Sequence, residues 1–371
     1  MKTVFLTLVA GVLLTGQAKL TLDAPGHVYT DRERATARGG AAGAAWTLTD
    51  WRGRALASGT FAPDGCAALG KRPVGYYHLK GAGADATFAV VPVPEGRVRD
   101  DASFYGVDSA QSWVSCPGSF ECPWYGGDTY RLVSDLLWRT GLAHVRERLR
   151  AAEVNPRPGV YDYSYYMYNA DMLRARGIRV SGMFHDVPDY MDRIQKLPRN
   201  LAALYAFCRG FKAARPAMPV LPGAVCHATR TAYDAGLYAN DAAKYSDVFN
   251  FHTYAPLSNY PTIFRELRAF MEKAGIAGRA VWMTESGTNL EGHSDEDGAV
   301  KGQKAHSPAQ ELIHAEFYAK SQIAFQMQGV SRNYFFVFGA YNERNGAKDW
   351  GVMRRDGTVK PTYAAMSAIT R

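Results

Sequence analysis

The sequence predicts an α/β fold: a (β/α)8 barrel of the TIM type that lacks one βα unit, preceded by a small β-sandwich. Two observations predict it. From residue 104 onward, apolar runs alternate with amphipathic segments of helical period, as in parallel βα units. Before residue 97, short runs of β-forming residues alternate with turns rich in Gly and Asp, as in small antiparallel sandwiches.

The N-terminal part of the chain contains two hairpin-like stretches. "AAWTLTDWRGRALASGTF" (44–61) has a polar turn between two strand-like runs, and "VGYYHLKGAGADATFAVVPV" (74–93) repeats that pattern. The sequence then loses its period and gains Pro and charge, which is typical of a linker. We therefore expect a β-sandwich domain at 19–97, a linker at about 92–102 and a barrel domain at 103–371.

The first residues resemble a secretory leader. Lys2, an apolar run over 4–14 and the small-x-small triplet Gly16-Gln17-Ala18 are typical of a cleaved signal peptide, which we place at 1–18. The run is too short to span a bilayer, and no later stretch has the length of a membrane span. We expect a secreted or periplasmic protein.

Composition excludes several classes of function. The 371 residues are 47% hydrophobic and 21% charged, which is ordinary for a globular protein with a small and a large domain. The formal charge of +8 comes from scattered Lys and Arg without basic runs between aromatics, so no nucleic-acid partner is expected. No Gly-rich phosphate loop or G-x-S-x-G motif occurs, and no cofactor is predicted. No oligomeric state is predicted.

Seven barrel strands are predicted rather than eight. They cover 104–110, 142–149, 178–186, 219–227, 247–254, 280–287 and 333–339, with amphipathic helices between them. Between His185 and Val220 there is only one helical segment, and a βαβ unit takes ~30 or more residues. The segment has no room for two such units, so the fourth strand and one of its helices are predicted to be absent.

Chemistry in such a barrel gathers at the C-terminal ends of the strands. Glu285 is the strongest candidate, because a carboxylate that ends the apolar run "VWMTESG" is costly to bury unless it is paired or useful. The other strand ends carry residues that ion pairs, turns or core packing also explain: Arg146, Arg148, His185, Asp186, His227, His252, Tyr254 and Glu343.

Several of these motifs together resemble the clan A glycoside hydrolases. The segment 141–191 resembles their region from strand two to strand three, and "FHTY" resembles their strand-six His-x-Tyr. "VWMTESG" resembles their nucleophile motif, and "GVMRRDGTVKPTYAAM" their closing segment. The resemblance covers most of 104–371 and implies a retaining glycosidase that acts on or binds a poly- or oligosaccharide.

The resemblance also implies roles for single residues. Glu285 matches the nucleophile, and Arg146 matches the strand-two arginine that keeps the nucleophile ionised. His252 and Tyr254 match groups that shape the sugar site, and His185 is expected among the substrate-binding residues with them.

The general acid/base of the family has no counterpart here. It is the Glu of an Asn-Glu pair at the end of strand four, and the only such pair in this chain is Asn342-Glu343, past strand eight. Glu343 is a candidate that could replace it, as are Asp186 beside the gap and Glu291 and Asp295 in the loop 288–309, although none of them has the expected position. A non-catalytic sugar-binding protein that lost its acid is the alternative, and an in-frame deletion in an active ancestor would explain the short barrel.

A metal-dependent hydrolase would use His185, His227 and His252 as ligands. Such barrels commonly begin with a His-x-His pair on strand one, and "FYGVDSA" has none. We therefore predict no metal site.

Overall fold

The structure is a computed structural model. It describes residues 19–81, 83–94, 102–114, 128–191, 193–194, 197–198, 200–223, 232–289, 307–343 and 348–370. The predicted leader, most of the predicted linker and His227 lie outside these residues.

Eight strands in the first part of the chain form two sheets. One has three strands in the order β1-β3-β6, and the other has five in the order β2-β8-β7-β4-β5. The strands are β1 (Thr21–Leu22), β2 (Val28–Thr30), β3 (Ala35–Arg38), β4 (Ala45–Asp50), β5 (Ala55–Thr60), β6 (Cys66–Gly70), β7 (Gly75–Gly81) and β8 (Ala84–Val91). Leu22 and Leu69 of the first sheet share one buried cluster with Leu48 and Phe88 of the second. The two hairpin-like stretches form β4–β5 and β7–β8, as predicted.

A six-stranded parallel sheet follows in the second part of the chain. Its strands are β9 (Tyr105–Asp108), β10 (His144–Arg150), β11 (Arg179–His185), β14 (Phe249–Thr253), β15 (Val281–Ser286) and β16 (Val330–Phe336). Their order is β11-β10-β9-β16-β15-β14, so the last strand pairs with the first, as in a barrel. The sheet is a curled half-barrel whose edges, within the described residues, are β11 and β14.

The other elements complete the chain. The short strands form two hairpins, β12 (Arg193–Ile194) with β13 (Leu197–Pro198) and β17 (Asn342–Glu343) with β18 (Lys348–Asp349). The helices are α1 (Gln111–Val114), α2 (Thr129–Thr140), α3 (Ala151–Val154), α4 (Ser164–Ala175), α5 (Leu201–Ala214), α6 (Ala232–Ala239), α7 (Ala242–Tyr245), α8 (Tyr260–Lys273), α9 (Pro308–Met327) and α10 (Pro361–Ile369). None of the described helices is long and apolar enough to cross a membrane.

The predicted strand at 219–227 is wrong in its described part. Residues 219–223 form no strand, and Val220 instead exchanges hydrogen bonds with Asp247, through its amide to the carboxylate (2.7 Å) and its carbonyl from the amide (2.7 Å). Pro219 and Pro222 explain this, because neither has the amide hydrogen that a ladder in the middle of a sheet requires. The remainder of the predicted strand, 224–227, lies outside the described residues.

The two parts of the chain share a hydrophobic core. Val28, Tyr76 and Val91 from the N-terminal sheets belong to one buried cluster with Leu136 of α2 and Met366 of α10. Polar contacts cross the same boundary, since the Tyr76 hydroxyl donates a 2.9 Å hydrogen bond to the carbonyl of Val359. The N-terminal sheets therefore support the side of the half-barrel rather than the cleft at its strand ends.

Candidate active site

Glu285 lies next to the end of β15, and its side chain reaches the interior of the half-barrel. The strand is buried around it, and Glu285 itself is 8% exposed. Gly287 follows directly, and a Cβ atom at this position would lie 2.5 Å from the carbonyl oxygen of Phe336. The chain can therefore leave β15 alongside β16 only with glycine here, which explains the residue after the carboxylate in "VWMTESG".

Two arginines from one strand hold the carboxylate of Glu285. Residues two apart on a strand face the same side, so Arg146 and Arg148 of β10 both point inward. Arg146 Nη1 lies 2.5 Å and Arg148 Nη2 2.7 Å from Glu285 Oε1. The same guanidiniums reach Asp108 Oδ2 of β9, at 2.6 and 2.9 Å. The result is a buried cluster of two cations and two carboxylates.

The second oxygen of Glu285 faces β14. The hydroxyl of Tyr254 donates a hydrogen bond to Oε2, and His252 Nδ1 lies 3.4 Å from the same atom. The register of β14 against β15 pairs His252 directly with Glu285, which explains why the motif "FHTY" delivers these side chains to this point. Both oxygens of the carboxylate are thus held in place.

The surroundings determine which groups carry charge. Burial acts to raise the pKa of Glu285, but Arg146, His252 and Arg148 outweigh it and hold that pKa at about 2. Burial also lowers the pKa of His252 to about 3, so its imidazole is neutral at neutral pH. Burial and the nearby carboxylate raise the pKa of Tyr254 far above its usual range, which keeps its hydroxyl a donor. Glu285 is an anion with fixed orientation.

Aromatic rings line the cleft beside this cluster. The guanidinium of Arg148 lies over the ring of Trp113 at 4.9 Å and over that of Phe336 at 5.3 Å. The ring of Tyr254 meets Trp350 edge to face at 4.9 Å. Trp113 is 39% exposed, so part of its ring is open to solvent.

A second buried carboxylate, that of Glu147, fixes the backbone just before Trp113. This side chain points away from Glu285 and accepts hydrogen bonds from the backbone amides of Gln111 (3.0 Å) and Ser112 (3.2 Å) at the start of α1. The side-chain amide of Asn169 donates to it as well, at 2.8 Å. Burial raises the pKa of Glu147, and these donors oppose that shift. Glu147 therefore fixes the turn that carries Trp113.

Glu343 lies at the edge of the aromatic cluster. Its Oε1 accepts a hydrogen bond from the Tyr341 hydroxyl at 3.1 Å, and the Tyr341 ring lies 4.9 Å from Trp113. Burial and the charge of Glu343 raise the pKa of Tyr341 to about 12. The structure thus brings Glu343 near the site but does not pair it with Glu285.

His185 ends β11, and its described partner is its neighbour. Nδ1 of His185 lies 3.0 Å from Oδ2 of Asp186, and the imidazole side chain is 28% exposed. Burial lowers the pKa of His185, and the charge of Asp186 opposes this. His185 makes no described contact with Glu285.

Sequence reasoning placed Arg146, His252 and Tyr254 around Glu285, and the structure brings these four together. It missed that Arg148 binds the same carboxylate, although the Arg-x-Arg spacing on a strand was a usable signal. It also missed Asp108, Trp113 and Trp350, which long-range pairing brings to the site. The described residues contain no group of three or more side chains that could hold a metal ion.

A solved structure resembles this chain over nearly its whole length. It is a family 39 glycoside hydrolase from the gut symbiont Bacteroides cellulosilyticus WH2, with a TM-score of 0.66 and 16% sequence identity. The match covers 94% of this chain and 82% of that one. The likeness shows that this chain shares the fold of that structure.

Weaker likenesses involve other glycosidases. Xylanase 10B from Thermotoga petrophila RKU-1 matches with a TM-score of 0.49 and 12% identity, over 72% of this chain and 94% of that one. A glucosidase from Croceicoccus marinus matches with a TM-score of 0.48 and 16% identity, over 64% and 62%. No protein-family model and no curated protein sequence matches the chain significantly.

Proposed function

We propose that this protein is a glycoside hydrolase of retaining mechanism that acts on a poly- or oligosaccharide, with Glu285 as its nucleophile. The observation that supports this most is the pair of ion pairs that Arg146 and Arg148 make with Glu285, at a strand end of a fold shared with a glycoside hydrolase. A nucleophilic carboxylate has to be ionised and aimed, and Arg146, Arg148 and Tyr254 provide both. Residues 1–18 would direct the protein to a secreted or periplasmic location.

The proposed reaction is a double displacement. Glu285 attacks the anomeric carbon, the leaving oxygen departs with a proton, and water then releases the sugar from the glycosyl ester. Because the cluster is buried, both oxygens of the Glu285 carboxylate are shielded from bulk water. Tyr254 binds one of these oxygens, and the two arginines bind the other. His252 and Tyr254 would shape the sugar site next to this bond.

The reaction also needs a general acid/base beside the nucleophile. Glu343 as the general acid/base stays a prediction from sequence. The proposed absence of a βα unit between β11 and β14 agrees with the two unpaired edges of the sheet within the described residues, and the sequence resemblance implies that this unit would have carried the general acid/base. The N-terminal sheets, on this proposal, form a β-sandwich that supports the barrel.

A mechanism-based label tests the nucleophile. A panel of 2-deoxy-2-fluoro pentosides and hexosides with a dinitrophenyl leaving group is incubated with the protein, and peptides are then mapped by mass spectrometry. We expect one ester adduct on Glu285 and none in Glu285→Gln. As the matched control, Glu316→Gln changes an exposed glutamate of α9 that pairs with Lys320, and it should label like the parent. An adduct on any other residue would sink the assignment.

A sugar-binding protein without turnover is the second candidate. The unpaired edges of the sheet, β11 and β14 in the described part of the chain, favour it, since a missing acid/base would leave a site able to hold sugar and unable to cleave it. Isothermal titration with oligosaccharides that bind without being cleaved, together with no label on Glu285, would favour this reading over the first.

A further inference from the structure

We propose that His185, oriented by Asp186, is the general acid/base that replaces the absent strand-four glutamate. This inference rests on the proposed glycosidase function and names the group that the reaction still needs. It begins from the His185–Asp186 pair at the end of β11, where Nδ1 and Oδ2 are 3.0 Å apart. A carboxylate on Nδ1 fixes the tautomer and leaves Nε2 as the atom that exchanges a proton with substrate.

The strand pattern puts His185 on the interior face. Ser181 Oγ lies 2.6 Å from the hydroxyl of Tyr334, and the sulfur of Met183 contacts the Arg146 guanidinium, so both face the barrel interior. Alternate residues of a strand share a face, so His185 faces the same interior, one step nearer the strand ends. The imidazole therefore stands at the mouth of the cleft, above the arginines that hold Glu285.

The position around the barrel also fits. The path from β15 to β11 passes β16, β9 and β10, which makes four strand steps. β11 is one edge of the curled sheet and β15 is next to the other edge, so β11 faces β15 across the interior of the half-barrel. A retaining glycosidase needs its nucleophile and its proton donor on opposite sides of the anomeric carbon. Glu343 follows β16, the strand directly beside β15, and so approaches from the same side as Glu285.

Protons and electron pairs balance in both steps of the proposed reaction with these groups. In the first step a Glu285 oxygen bonds to the anomeric carbon, the glycosidic bond breaks, and its oxygen takes the proton of His185 Nε2. In the second step water bonds to the anomeric carbon and gives a proton to Nε2, while the ester bond breaks and its electron pair returns to Glu285.

The charged groups around His185 come from three elements. Arg148 and Arg150 face it from β10, Glu153 of α3 pairs with Arg150, and Asp186 is the carboxylate next to the imidazole.

Leaving-group dependence tests this role. A proton donor typically contributes ~10²–10⁴-fold, so His185→Ala should lose about that much kcat/KM on alkyl or p-methoxyphenyl glycosides. Labelling by a dinitrophenyl fluoroglycoside needs no acid and should change far less. Azide should restore turnover of a dinitrophenyl substrate by His185→Ala and give a glycosyl azide of retained configuration. His78→Ala, at a half-buried histidine of β7, is the matched control without these changes.

Asp186→Asn tests whether Asp186 orients the His185 imidazole for proton transfer or only supports the fold. It should move the basic limb of the kcat/KM profile to lower pH, because Asp186 raises the pKa of His185. Parent-like leaving-group dependence in His185→Ala, or azide rescue in Glu343→Gln instead, would overturn the proposal while leaving Glu285 as nucleophile. If no fluoroglycoside labels Glu285 in the parent, the proposed function fails and this inference fails with it. Circular dichroism melts of each variant exclude unfolding as the cause.

Discussion

The guanidinium of Arg148 lies 2.7 Å from Glu285 Oε1 and 2.9 Å from Asp108 Oδ2, and it bridges two carboxylates that would otherwise repel each other. Arg146 makes the same bridge, so two guanidiniums face two carboxyl groups; burial raises the pKa of Asp108, and both guanidiniums oppose that shift. Removal of one member leaves an unbalanced charge away from water. Breaking one buried partner typically costs ~3–5 kcal/mol.

Arg148→Gln should therefore destabilise the fold by ~3–5 kcal/mol and raise the pKa of Glu285. Urea denaturation measures the first effect, and the pH dependence of labelling measures the second. In the double variant Asp108→Asn/Arg148→Gln the charges balance again, so its loss of stability should be smaller than the sum of the single losses. Strictly additive losses would mean that the two side chains do not act as one cluster.

Tyr254→Phe should slow the reaction while leaving the fold intact. It removes the hydroxyl that donates to Glu285 Oε2 but keeps the ring that packs at 4.9 Å against Trp350. A hydrogen bond to a charged group contributes roughly 1.5–3 kcal/mol, which corresponds to a labelling rate about 10- to 150-fold lower. The measurement is the inactivation rate by the fluoroglycoside, with a thermal melt alongside. A rate equal to that of the parent would show that this contact is not used in the transition state.

His252 should make stability depend on pH in the acid range. Burial lowers its pKa from 6.5 to about 3, so below pH 6.5 the unfolded chain takes up a proton that the folded protein does not. The stability due to neutral His252 is complete above pH 6.5 and is lost as pH falls toward 3. One proton changes the free energy of unfolding by about 1.4 kcal/mol per pH unit.

His252→Gln removes this proton. Between pH 6.5 and 4, its free energy of unfolding should fall less steeply with falling pH than that of the parent. The two slopes should differ by close to the contribution of one proton. Parallel urea titrations at several pH values give both slopes. Equal slopes in the two proteins would mean that His252 is already charged in the folded state. His78→Gln, at a less buried histidine of β7 whose pKa is also lowered by burial, is the comparison and should flatten the slope less than His252→Gln.

The local patterns predicted most of the half-barrel. Six of seven predicted barrel strands occur within a few residues of their expected positions, because apolar runs between amphipathic helices are buried whatever their neighbours. The remaining strand, predicted at 219–227, is wrong in its described part, 219–223, where the prediction gave apolar character more weight than the missing amide hydrogens of Pro219 and Pro222. Composition favoured a strand, and hydrogen bonding decided against it.

The site was only partly readable. Glu285, His252 and Tyr254 sit in compact motifs on single strands, which a sequence displays directly. Asp108 and Trp113 reach Arg148 through pairing of β9 with β10 and through the turn that Glu147 holds, and neither relation has a fixed spacing in sequence. The His185–Asp186 pair was visible as adjacent letters, but its place across from Glu285 follows only from the strand order.

Arg354 joins the N-terminal sheets to the barrel, and its loss should weaken both. Its guanidinium binds Glu311 of α9 (Nε to Oε1, 2.7 Å) and also the Tyr76 hydroxyl of β7 at 2.9 Å. Arg354→Met leaves Glu311, 5% exposed at its side chain, without this partner. Because the guanidinium is itself partly exposed, we expect a loss near ~3 kcal/mol, the lower end for buried pairs.

Arg139→Met is the matched comparison for Arg354→Met, because Arg139 of α2 crosses the same boundary to Glu33. That pair is more open to solvent, with 42% of the Glu33 side chain exposed, and exposed pairs contribute only ~0–1 kcal/mol. Urea denaturation followed by tryptophan fluorescence and by circular dichroism should give one shared transition in both variants, shifted strongly only in Arg354→Met. Equal shifts would mean that burial does not determine how much these ion pairs between the N-terminal sheets and the half-barrel stabilise the fold. Two separate transitions in Arg354→Met would mean that the N-terminal sheets and the half-barrel unfold independently once this contact is gone.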